Sequence, residues 1–79
     1  MKIKELEAGD LAQSLNMPNW TVLCTVICPA NELGINWRQV IFEDSKTNES
    51  AIVTLDDSDH TWNKECLLIS KNNDITKYI

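Results

Sequence analysis

The chain has 79 residues, a formal net charge of −5 from seven Lys and Arg against twelve Asp and Glu, 43% hydrophobic residues and 24% charged residues. That length holds one hydrophobic core, so residues 1–79 read as a single domain, and the composition excludes a disordered tail, a collagen-like repeat and a coiled coil. The negative balance has the wrong sign for non-specific attraction to phosphates, no segment forms a basic tail, and the longest apolar stretch, Val22 to Ala30, is far shorter than a membrane helix needs. No membrane role is expected.

The N-terminus has no apolar run behind Lys2 and Lys4, so a cytoplasmic address is expected. Residues 3–17 carry apolar positions at Ile3, Leu6, Leu11, Ala12 and Leu15, which predicts an extended lead-in and then a short helix over roughly 11–16. Asp10 would cap that helix and Pro18 would stop it. Trp20 to Cys28 is rich in Val, Ile, Thr and Trp without a helical stripe, which predicts a central strand buried on much of both faces. Pro29 to Asn36 reads as a connector.

Trp37 to Phe42 and Ser50 to Leu55 read as two strands joined by the polar turn Glu43 to Asn48, hence a hairpin. Alternation puts Val40 and Phe42 on one face with Ala51, Val53 and Leu55, and Gln39, Ile41, Ile52 and Thr54 on the other. Asp56 to His60 offers N-caps for one helical turn over about 58–64, with Trp62 facing inward. Cys66 to Ser70 is a further strand, and Ile75 to Ile79 a short last one. The predicted core is Trp20, Val22, Cys24, Val40, Phe42, Val53 and Leu68.

Three cysteines, Cys24, Cys28 and Cys66, cannot all pair within one chain, so reduced, buried thiols are expected. No zinc-ligand spacing accompanies them. The run Asp56-Asp57-Ser58-Asp59-His60 is the densest set of potential ligands, but a calcium loop starting at Asp57 would need glycine and glutamate where Trp62 and Leu68 stand. Helix capping is the simpler role for it. His60 has Ser58 and Cys66 nearby in sequence, yet no glycine elbow or oxyanion loop goes with them, so no catalytic residue, metal or cofactor is assigned. The chain reads as non-enzymatic.

Three strands, a helical turn and two more strands is the element order of the OB-fold, a five-stranded Greek-key barrel. Specific segments carry the likeness. Ile3 to Leu6 as lead-in, Asn19 to Val26 as first strand, Phe42 to Leu55 as hairpin and Leu67 to Lys71 as fourth strand resemble the single-stranded-DNA-binding OB domains of replication protein A and of archaeal single-stranded-DNA-binding proteins. The resemblance implies a mainly β, OB-like barrel with one helical turn between strands three and four, to which the residue pattern adds the short N-terminal helix. It also implies bases stacked on aromatics, with Trp37 as the first platform and Arg38 and Lys46 as cations beside it.

The departures are on the binding side. Leu55 stands where the second aromatic would be, Thr25 replaces the first-strand arginine, and the connector's one charge is Glu32. Single-stranded nucleic acid is therefore the alternative partner. The first expectation is protein contact through the hairpin face of Trp37, Gln39, Ile41, Ile52 and Thr54, because an apolar patch with a polar rim suits protein. The competing account of Ile41 and Ile52 is a simple cross-strand pair or a patch covered by the N-terminal segment. An acidic module of this size could act as a small subunit or as an inhibitor filling a partner's nucleic-acid-binding site; small virus-encoded inhibitors are similar in size and charge.

Overall fold

The computed structural model describes residues 1–28 and 36–78, with the side chains of residues 26–28 and 78 outside the description. The expected connector Pro29 to Asn36 thus lies outside the described residues except for Asn36, as do the Cys28 thiol and Ile79.

Five strands form one antiparallel sheet: β1 (Leu11–Ser14), β2 (Trp20–Cys28), β3 (Trp37–Asp44), β4 (Ser50–Asp56) and β5 (Cys66–Ser70), in the order β4-β3-β2-β1-β5. Strands β1 to β4 meander, and β5 returns to lie beside β1. A Greek key makes the same return after three strands rather than four. Single 3-10 turns flank the sheet at Ile3–Glu5, His60–Asn63 and Thr76–Tyr78. Among the described residues no helix is long and apolar enough to cross a membrane.

The hairpin forms as alternation predicts: Val40 pairs with Val53, Phe42 with Ala51, Ile41 with Ile52 and Gln39 with Thr54. Asn48, at φ 60°, takes the left-handed position that closes the turn, and Asp44 N–H donates to Glu49 O at 2.8 Å. The helical turn also forms. Asp59 accepts from Thr61 N–H at 2.9 Å as its N-cap, and it carries Trp62 fully into the core, where indole Nε1 donates to Asp56 O at 2.8 Å.

Three elements differ from expectation, the first being the extended lead-in, which holds a 3-10 turn at Ile3–Glu5. Where a helix was predicted over residues 11–16, the chain forms the strand Leu11–Ser14. Asp10 caps a different turn: it is buried, its carboxylate accepts from Glu7 N–H at 2.9 Å, and its carbonyl accepts from Cys24 N–H at 3.0 Å. A six-residue helix is marginal on its own, while the strand is laddered on both sides, to β2 and to β5, and turns Ala12 and Ser14 inward. At the other end, the predicted last strand over 75–79 is a 3-10 turn at Thr76–Tyr78. Asp74 accepts from Thr76 N–H at 2.9 Å and from Thr76 Oγ1 at 2.7 Å, which starts a turn in place of an extended run.

The core is Ile3, Leu6, Ala12, Val22, Cys24, Val40, Phe42, Trp62 and Cys66, with Trp20, Val53 and Leu55 packed half-buried against it. Leu68, predicted inside, is 39% exposed: it pairs with the buried Ala12, but on β5, an edge strand with no further strand beside it among the described residues. Ile3 and Leu6 show that the N-terminal segment closes the open side of the sheet.

What holds that segment is Arg38, which is 3% exposed. Its Nε donates to Asp57 Oδ1 at 2.8 Å, Nη2 to Lys4 O at 2.8 Å, and Nη1 to Leu6 O, to Ile3 O at 3.4 Å and to Cys24 Sγ at 3.6 Å. No described buried side-chain polar atom is left without a partner. Removing one member of such a buried charged set strands the others, at a cost of about 3–5 kcal/mol. Arg38→Met is therefore expected to lose most of the stability of so small a domain, read as the urea midpoint of the tryptophan emission; a midpoint unchanged from wild type would refute this role.

Candidate functional site

On β3 the residues Trp37, Gln39, Ile41 and Glu43 share the face away from the core, and on β4 they meet Asp56, Thr54, Ile52 and Ser50 respectively. The face begins with a polar bridge. Gln39 Nε2 donates to Thr25 Oγ1 at 3.0 Å while Gln39 Oε1 accepts from Thr54 Oγ1 at 3.2 Å, so three strands are tied by one amide. Thr25 reaches Gln39 because a bulge between Cys24 and Val26 shifts the register of β2.

Next to this bridge runs an apolar row. Leu11 pairs with Leu23, Leu23 with Ile41, and Ile41 with Ile52, across four strands. Exposure rises steeply along its end: Ile41 is 4% exposed and Ile52 is 64% exposed. The pair was expected to lie open together. Instead Ile41, on the inner strand β3 with apolar neighbours on both sides, is buried, and Ile52 alone is presented, because β4 is an edge. A third row, Gln13, Thr21, Glu43 and Ser50, borders the apolar one.

Trp37 is 36% exposed at one corner of the face, opposite Asp56. The two cations expected beside it separate. Arg38 is turned inward by the same alternation that exposes Trp37, so it is unavailable as a phosphate contact, and Lys46 lies at the exposed hairpin tip with its N–H donating to Asp44 Oδ1 at 2.8 Å. Of the charged groups on this face of β3 and β4, Glu43 and Asp56 are both carboxylates. Leu11, Leu23 and Glu43 are the participants that the sequence reading missed; assigning residues 11–16 to a helix hid Leu11, and without the β2 register Leu23 had no row to join.

The acidic run serves the turns around the core. Asp56 accepts from Ser58 Oγ at 2.6 Å and Ser58 N–H at 2.7 Å, which holds its carboxyl below the usual range, and the Thr61 N–H does the same for Asp59. Among the described residues no group of three or more His, Cys, Asp or Glu is placed to hold a metal ion, and His60 is almost fully exposed. Cys24 and Cys66 are free and buried, and burial pushes both thiols up, in Cys24 against the opposing pull of Arg38.

No protein-family model matches the chain, and the comparisons with curated proteins and with solved structures find no match either.

A carboxyl lowered by native hydrogen bonds stabilises the fold above its unfolded value, near 3.9, and that contribution is lost as pH falls through the lower folded value. The melting temperature is therefore expected to fall below about pH 4, and Asp59→Asn, which still caps but does not titrate, should flatten part of that fall; an identical acid limb would show that the cap is not coupled to stability. The thiols of Cys24 and Cys66 should alkylate slowly at pH 8 in the folded protein and rapidly in urea, followed by mass spectrometry of their peptides. Equal rates in both conditions would mean that neither thiol is protected by the fold.

Proposed function

We propose that the chain is a non-enzymatic binding module that contacts a protein through the outer face of the β3–β4 hairpin. One observation carries the reading: Ile52 stands 64% exposed in the middle of a strand, at the open end of an apolar row whose next member, Ile41, is buried. A lone exposed Ile needs no explanation, but here the row continues under cover and the Gln39–Thr54 bridge and Glu43 rim it. Ile52, Thr54, Gln39 and Trp37 are the contact residues, with Ile41 supporting Ile52 from below.

The acidic balance supports a particular form of this reading, a small subunit or an inhibitor that fills a basic, nucleic-acid-binding groove of its partner in the cytoplasm. Free buried thiols fit such a reducing setting. An OB-like barrel belongs to the same proposal: the hairpin, the 3-10 turn and the strand after it come in the order that the resemblance implies, although no pairing joins β4 to β5 among the described residues. The alternative of a single-strand binder retains Trp37 and Lys46 but loses Arg38 to the interior.

Ile52→Asp is the test, since Ile41→Asp would bury a carboxylate in the sheet. Capture of a partner from native lysate should survive nuclease and weaken by more than about 2 kcal/mol with Ile52→Asp, while the melting temperature holds. Tight, quenching association with an oligonucleotide that Trp37→Ala abolishes would reject protein contact and favour the single-strand binder.

A further inference from the structure

The β4 edge carries the partner reading further, on the premise that the hairpin face is the contact site. Asp44 N–H donates to Glu49 O, so in the register that follows, Phe42 and Ala51, Val40 and Val53, and Arg38 and Leu55 are the pairs that exchange ladder bonds. Ser50, Ile52 and Thr54, in the alternate places, therefore turn their N–H and C=O groups away from β3, toward the side where β4 has no neighbouring strand among the described residues. Asp56 would be the fourth, but its carbonyl is taken by Trp62 Nε1 and by Asp59 N–H.

Among the described residues the edge has none of the usual guards. β4 has no fully buried residue, no Lys, no Pro and no bulge, and its one charge is Asp56 at the end. The side chains above this edge are Ser50, Ile52 and Thr54, with Glu43 and Asp56 at the two ends of the face.

We propose that β4 takes up an extended segment of its partner as a sixth strand, and that the segment is basic, with an apolar residue over Ile52 and Lys or Arg toward Glu43 and Asp56. Three residues with both groups outward provide for up to six main-chain hydrogen bonds, and the exposed side chains select the sequence. A second copy of this chain fits the edge poorly. Two β4 strands paired antiparallel about Ile52 would set Glu49 and Asp56 of both copies at the seam with no cation opposite, between molecules that each carry a net charge of −5.

A capped nonapeptide with isoleucine at its centre, lysine at every second position on either side and threonine between is the probe. Added to the labelled protein, it should slow amide exchange at Ser50, Ile52 and Thr54 while leaving β5 unchanged. Two further peptides separate the causes: one is N-methylated at the isoleucine and the two lysines beside it, and the other has glutamate for every lysine. Each should bind at least tenfold more weakly than the parent.

On the protein side, Thr54→Pro removes an outward N–H and no ladder bond, but also the hydroxyl that donates to Gln39, so it should weaken the parent peptide at least tenfold relative to Thr54→Ala, while Ile52→Asp weakens it by losing the apolar contact. If Thr54→Pro fails to fold, the N-methylated peptide makes the same test. Binding that Ile52→Asp abolishes but N-methylation leaves intact would keep the face contact and overturn strand addition. Equal binding of the glutamate peptide would overturn the basic partner, and self-association of the free protein that Thr54→Pro removes would give the edge to a second copy. No binding by the parent peptide would overturn the inference outright.

Discussion

The Arg38 guanidinium is the constraint around which the rest of this domain is arranged. It stands in the core side of β3, and its three nitrogens reach the main chain of the first six residues, the thiol of β2 and the carboxylate that follows β4. A sheet of five short strands has one open side, and here a segment that forms little more than one 3-10 turn closes it with Ile3 and Leu6. Apolar burial alone does not orient such a segment, whereas three carbonyls converging on one planar cation do. Lysine could not replace it, having a single nitrogen where Nε holds Asp57 while Nη1 and Nη2 hold the N-terminal carbonyls and Nη1 the Cys24 thiol.

The same device shapes the surface. A cation placed inside, with Asp57 as its partner, leaves the two sides of the hairpin with different chemistry: Arg38 neutralised within, Glu43 and Asp56 on the outer face. The electrostatics of the fold and of the contact face are thus one decision of alternation. Shifting β3 by one residue would put Arg38 in solvent and Trp37, Gln39 and Ile41 in the core, exchanging an acidic, apolar face for a basic one. The desolvation of the guanidinium is offset only when every donor is matched, so the N-terminal segment is part of the core and not an appendage to it.

How much of this was legible follows from where the signal lay. The hairpin register was readable because Val40, Phe42, Val53 and Leu55 are large, β-branched or aromatic, and strictly alternating, and the Trp62 turn because four capping residues precede an isolated aromatic. β1 was not readable. Its inward residues are Ala12 and Ser14, too small and too polar to mark a face, and what makes it a strand is the pairing with β2 and β5, which are remote in sequence. Arg38 is a different kind of miss: alternation with Val40 and Phe42 already placed it inside, but a charged residue beside a tryptophan was read by its chemistry rather than by its position. Ile41 shows the opposite error, a correctly assigned face on which burial depends on being the inner strand of a row of four.

The two edges of the sheet complete the picture, because among the described residues only one of them is guarded. On β5 the Cys66 N–H donates to Met1 O at 2.7 Å and the Met1 amino group donates to Cys66 O at 3.2 Å, so the segment that Arg38 anchors also caps the start of that strand. A register shift opposite Leu11 and Ala12 distorts its other end. β4 has neither a covering segment nor a bulge among the described residues, and yet it is the longer edge, seven residues against five. Long unguarded edges promote aggregation, and sequences ordinarily break them with Lys, Pro or a twist. A net charge of −5 opposes the pairing of like chains, and under the proposed reading a strand of opposite sign would meet no such repulsion. On the proposed reading, acidity and an open β4 edge are complementary features of one surface: either alone would be a liability or a neutral trait, and together they would discriminate between self and a basic partner.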